Sequence, residues 1–179
     1  MNFKDIKNKF MEFVADIRYY KLGLILLGES SYQIKGPHIR EILDVLEPGD
    51  VLFRRYNHYL GTLFVPGKWP HVAIYIGNGK VIHMLFKGIT EEDILTFTRT
   101  DNMAIYRHDN KDMAIQAAVE AQKVLETHRK YDFEFEDDDD EWYCSELIKF
   151  CYKLDITEKI IYPDYYTKLD CFYKVWSKE

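Results

Sequence analysis

Cysteine is scarce in this chain, and the three present are poorly spaced for a structural role. Cys144, Cys151 and Cys171 are odd in number and lack close pairing, which argues against a disulfide framework or a cysteine zinc site and suits a reducing compartment. Positive charge is also in deficit: 24 Lys and Arg face 30 Asp and Glu, for a formal net charge of -6. Nonspecific polyanion binding is disfavoured and no nucleic-acid partner is expected, although the charge balance leaves room for a local basic patch such as Arg54 with Arg55. No apolar run approaches the roughly 20 residues that span a bilayer; the densest, 22–27, is short and interrupted by Gly23. No internal repeat is visible, and the only low-complexity stretch is the acidic run 136–141.

What is present suits one substantial core: 179 residues, 47% hydrophobic and 16% aromatic. Near the N-terminus, Ile6, Phe10, Phe13, Val14 and Ile17 recur at helical spacing among charged residues. That pattern reads as an amphipathic helix and not as a signal peptide. The helix is expected to pack on the domain, with peripheral membrane contact through its apolar face as the alternative. These readings divide the chain into a helical segment, 1–46, and a domain, 47–179, and imply a cytoplasmic location.

Punctuation and period place the elements. Pro48 and Gly49 break any helix before a strand at 51–55. After His71, Val72, Ile74 and Ile76 alternate with Ala73, Tyr75 and Gly77, the pattern of a buried strand. Asn78-Gly79 is a strong hairpin signal, and 81–86 reads as the return strand. A further strand is expected at 103–107. Asn110 or Asp109 then caps a helix with an apolar face of Ala114, Ala117, Ala118, Ala121, Val124 and Leu125, ending near 128–130. A carboxylate-rich loop, 131–141, leads to a helix with Cys144, Leu147, Ile148 and Cys151 on one face. The aromatic tail from Ile160 matches no single template. An α+β fold is expected, with an antiparallel sheet packed against helices.

His71, His83 and Cys144 carry the chemistry. A cysteine attacks as thiolate, which a helix N-terminus and a neighbouring imidazole both favour. One histidine can accept the thiol proton while the other holds that ring in one tautomer. Cys144 also sits where free helix amides can receive an oxyanion. The competing reading of each residue is plain packing: a helix cysteine among apolar neighbours, as Cys151 is expected to be, or an ordinary strand histidine. His38, His58, His108 and His128 are expected to be surface or locally hydrogen-bonded groups, and Cys171 has no argument for chemistry.

Four motifs occur in one order: Pro48-Gly49-Asp50-Val51, then 71–79 (HVAIYIGNG) with Val81-Ile82-His83, then Tyr131-Asp132, then Tyr143-Cys144-Ser145-Glu146-Leu147. Together they resemble the NlpC-like papain-fold cysteine hydrolases, closest to the circularly permuted YiiX-like branch and more distantly the lecithin retinol acyltransferase group. In this branch the cysteine helix follows the histidine strands. The resemblance covers about 48–154 and implies a circularly permuted papain-like (NlpC-like) fold. It also implies Cys144 as nucleophile, His71 as general base and then acid, His83 as the residue orienting His71, and Tyr131 near the reacting carbonyl.

A simple two-residue loop at Asn78-Gly79 would set His83 opposite Ile74 and put the two histidines on opposite faces. A three-residue connection, a bulge or an irregular start at His71 is therefore expected. The acidic run reads as a solvated loop; the alternatives are a lip selecting amine-bearing substrates and, least well supported, a weak calcium site without a central glycine. Carboxylates beside the thiol would oppose ionisation, so they are expected to point away from it.

The expected enzyme is a cysteine peptidase or amidase that cleaves a peptide or cell-wall-type amide by acyl transfer through a Cys-His-His triad. It needs no metal and no cofactor, and it acts on a small-molecule or peptide substrate with an acyl group. The alternatives are a lipid acyltransferase or phospholipase-like thiol enzyme, which gains a little from the amphipathic N-terminus and from the aromatic loop with Tyr56, Tyr59, Leu60, Leu63 and Phe64, side chains that read equally well as core, and a noncatalytic ligand-binding module on the same fold.

Overall fold

Apolar side chains at 72, 74 and 76 alternate with 73 and 75, giving one strand two hydrophobic faces, and the fold buries both. In the computed structural model, residues 6, 7, 9, 10, 18, 19, 25, 26, 32–57, 67–136, 141–157 and 159–179 are described. Two short strands, β1 (Arg18–Tyr19) and β2 (Ile25–Leu26), pair antiparallel. The central sheet is built from β3 (Val51–Arg55), β4 (His71–Gly77), β5 (Lys80–Leu85), β6 (Gly88–Asp93), β7 (Asn102–His108) and β10 (Phe172–Lys178). Its order is β10-β7-β3-β4-β5-β6, antiparallel throughout.

Helices cover both faces. On one, Leu52, Ala73, Val81, Met103 and Ile105 pack with Ile34, with Ile42 of α1 (Gly36–Val45), and with Ile94 and Phe97 of α2 (Ile94–Phe97). On the other, Val51, Phe53, Val72, Ile74, Ile82, Met84 and Ala104 meet α3 (Lys111–Leu125) and α4 (Cys144–Cys151). Burying side chains such as Phe53 or Leu147 is worth about 2–3 kcal/mol each. The third layer of the fold is therefore α1, whose packing brings residues before 47 onto the sheet.

The start of α3 follows from Asn110, whose Oδ1 accepts from the backbone amides of Asp112 (3.0 Å) and Met113 (3.1 Å). Its buried face is mostly alanine, Ala114, Ala117, Ala118 and Ala121, which lets the helix lie close to the sheet. The helix ends at Leu125, earlier than expected, because the chain turns through 126–128 and His128 adopts a left-handed φ of 53°. Two strands of the central sheet were not legible in the sequence, β6 and β10, nor was the β1–β2 pair inside a segment expected to be helical. The edge strand β10 has a register shift between Lys174 and Trp176 that breaks its alternation.

Gly49 fixes the entry to β3. Its φ is +94°, and an added Cβ would lie 2.2 Å from the Ala114 carbonyl oxygen. Its amide donates to the Tyr75 carbonyl (2.7 Å), and its carbonyl accepts from the Tyr152 hydroxyl. Gly49→Ala is expected to destabilise the protein by about 2–3 kcal/mol or more, since backbone strain and a clash with α3 act together. Urea unfolding monitored by circular dichroism checks this, and an unchanged midpoint would contradict the close approach.

Candidate active site

The register conflict between the histidines is removed by a bulge. Gly77 pairs with Lys80 across a tight turn in which Asn78 and Gly79 take φ of 52° and 71°. The ladder then shifts between Tyr75 and Gly77, so His83 pairs with Ala73 in place of Ile74. His71 and Ala73 share a face, which puts the two rings on one side of the sheet. His71 Nε2 lies 2.9 Å from His83 Nδ1, with ring centroids 5.1 Å apart. His71 is half-buried and His83 is fully buried. The approach to His71 is held from outside the sheet: the Asp164 carboxylate accepts from the backbone amides of Lys68 and Trp69, both at 2.7 Å.

Cys144 opens α4, as expected. Glu146 accepts from the Tyr143 amide (3.0 Å), the backbone-directed half of a capping box, and the Tyr166 hydroxyl donates to the Ser145 carbonyl (2.5 Å). The hydrogen-bonding groups that favour the Cys144 thiolate are the backbone of Val72, the Ser145 side chain and the backbone of Cys144 and Ser145. The sulfur thus sits at the junction of the helix start and β4, while the two imidazoles pack with Phe97 on the sheet face opposite the one that α4 covers.

Electrostatics corrects one expectation. Burial pushes the Cys144 thiol up to about 11, outweighing the helix-start hydrogen bonds that favour the thiolate. Cys144 is only 3% exposed. Burial, and after it the charge of Arg54, holds both histidines well below the usual 6.5. These shifts favour a neutral thiol and neutral imidazoles at rest.

Tyr131 lies on β8 (Lys130–Tyr131), which pairs in parallel with β9 (Glu141–Trp142) so that Tyr131 stands beside Trp142, two residues before the cysteine. Its phenol is raised well above 10 by burial and, secondly, by the nearby Cys144. Phe86 and Phe133 pack on its ring at 5.2 and 5.0 Å between centroids. Asp132 ties down the loop that follows, accepting from the amides of Glu134 (2.7 Å) and Glu136 (2.5 Å).

Some expectations need revision. Arg54 does not form a surface patch with Arg55: it is 6% exposed, stacks its guanidinium 4.3 Å from the Phe97 ring and donates to Glu92 at 3.1 Å. Placing Arg54 indoors required knowing that its strand neighbour is His71 across the β3–β4 ladder. Ser145, a partner of the sulfur, was visible only as part of the motif. His108 is locally hydrogen-bonded, the second of the two expected alternatives, accepting from the Asn110 amide (2.9 Å), and is buried, stacking on Tyr152 at 5.3 Å. His38 accepts locally from the Lys35 amide (3.1 Å), and His128 is exposed. Cys151 is a buried core thiol pushed up to about 12 by burial. Cys171 is half-buried.

In the N-terminal helix, Ile6 and Phe10 are 50% and 62% exposed; Phe13, Val14 and Ile17 lie outside the described residues. So do His58, Tyr59, Leu60, Leu63, Phe64 and 137–140 of the acidic run. Among the described residues, no cluster of three or more His, Cys, Asp or Glu could hold a metal ion, and no helix is long and apolar enough to cross a membrane.

Residues 45–178 match a family described as permuted papain-like amidase enzymes, YaeF/YiiX, C92. No curated protein matches the chain significantly.

Proposed function

Because the chain belongs to the permuted papain-like amidase family, a family of thiol hydrolases, we propose that it cleaves a peptide-type or cell-wall-type amide through Cys144, His71 and His83. The observation that carries this reading is the 2.9 Å contact between the two imidazoles beside the strand residue whose backbone bonds the sulfur. With Nε2 of His71 engaged by His83, its Nδ1 is the nitrogen left to serve the thiol. That nitrogen takes the proton as the sulfur attacks the acyl carbon, then gives it to the departing amine. Water, deprotonated by the same ring, cleaves the thioester, releasing the acid and restoring the thiol. Backbone amides at the start of α4 and the Tyr131 hydroxyl are suited to the oxyanion.

One observation favours a second reading, lipid acyl transfer. Phe86 is 37% exposed and, with Tyr131 and Phe133, forms an aromatic ledge fit for an apolar acyl chain. Mass-spectrometric profiling of peptides, N-acyl amines and lipid esters with the wild type and Cys144→Ala separates the two. Release of amine and acid from amides, absent in the variant, is expected. Turnover of lipid esters alone would favour the second reading, and equal activity in the variant would overturn both.

A further inference from the structure

Behind the histidine pair lies a carboxylate that the mechanism above does not use. Glu92 of β6 sits diagonal to His83 on the same face, since Val81 pairs with Glu92 and His83 with Thr90. Its Oε2 is 3.6 Å from His83 Nε2 and accepts from Arg54 at 3.1 Å. His83 Nε2 is buried and has no hydrogen-bond partner, because 3.6 Å is too long for one. Arg54, His71, His83 and Glu92 thus form one polar row across β3, β4, β5 and β6, inside an otherwise apolar face that includes Phe97.

A single hydrogen lies between His71 Nε2 and His83 Nδ1, and its ownership decides whether His71 can be a base. If His83 carries its proton on Nε2, its Nδ1 is a lone pair, His71 donates from Nε2, and His71 Nδ1 is left unprotonated. If His83 carries it on Nδ1, His71 accepts at Nε2, holds its own proton on Nδ1 and cannot take one from a thiol. A carboxylate facing His83 Nε2 stabilises the first arrangement and the imidazolium that forms as the thiol is deprotonated. Arg54 holds that carboxylate in place, and its charge offsets that of Glu92 so that the resting rings stay neutral.

We propose that Glu92, pinned by Arg54, is a positioning residue that sets the His83 tautomer and through it the basic form of His71. The proposal rests on the triad reading and deepens it, but its main readout requires no turnover. Side-chain nitrogen NMR of the intact, ligand-free protein reports the tautomer of each ring. Both His71 and His83 are expected as Nε2–H in the wild type and shifted to Nδ1–H in Glu92→Leu. Glu92→Gln, which keeps an acceptor oxygen, should largely retain the wild-type pattern. In turnover, Glu92→Leu should lower kcat by about 10- to 100-fold with little change in KM, and Glu92→Gln should recover most of it.

Nδ1–H rings in the wild type would overturn the proposal without any variant, as would unchanged tautomers in a folded Glu92→Leu. Should Glu92→Leu fail to fold, the wild-type spectrum and Glu92→Gln still decide. An active Cys144→Ala would instead sink the triad reading while leaving the tautomer result intact, so the two failures are distinguishable.

Discussion

Cys144→Ala is expected to lower amide hydrolysis by at least ~10³-fold while leaving the fold intact, because removal of a triad nucleophile costs a hydrolase most of its chemical step. No other thiol can substitute. Cys151 follows two turns later on α4, about 10 Å along the axis, and its buried thiol is pushed up to about 12. Cys171 lies just ahead of β10, at the far edge of the sheet from β4 and β5. The structural cost is expected to be small, since the side chain removed is minor and Glu146 and Tyr166 still hold the helix start. Hydrolysis rates with parallel circular dichroism check this; retained activity would show that another group attacks.

His71→Ala is expected to change the pH dependence as well as the rate. With the thiol pushed up to about 11, only about 10⁻⁴ of it is thiolate at pH 7 without a base. The variant should therefore be slower by about 10²- to 10⁴-fold at neutral pH. Its rate should climb about tenfold per pH unit toward about 11, as free thiolate accumulates. The wild type is expected to behave differently, because in the proposed mechanism His71 acts while neutral. Its folded-state acidity is shifted down by burial and Arg54, so the ring stays competent on lowering the pH through 6.5 and fails only well below it. A wild-type rate that instead fell at 6.5 would indicate a solvent-exposed imidazole.

Much of this arrangement was legible in the residues. The Pro48-Gly49 turn, β3 and β4 follow from local punctuation and alternation, and the need for a bulge followed from parity: two histidines twelve apart across a two-residue turn cannot share a face otherwise. The long-range part was not legible. Arg54 reads as surface until β3 is paired with β4, and Glu92 reads as one acidic residue among three until the β5–β6 register sets it diagonal to His83. The ionisation of Cys144 was only half legible for a related reason. Sequence shows the helix start and the nearby histidine, which favour the thiolate, but not the burial that outweighs them. The strand β10 escaped because an edge strand with a register shift carries no clean period.

The most direct test is mapping of the acyl adduct left by an activated amide or ester probe at pH 7, by mass spectrometry, on the wild type and His71→Ala. A single adduct on Cys144, absent from Cys151 and Cys171 and formed orders of magnitude more slowly in the variant, is the predicted result. Equal, slow acylation of all three cysteines, or a Cys144 adduct indifferent to the loss of His71, would contradict it.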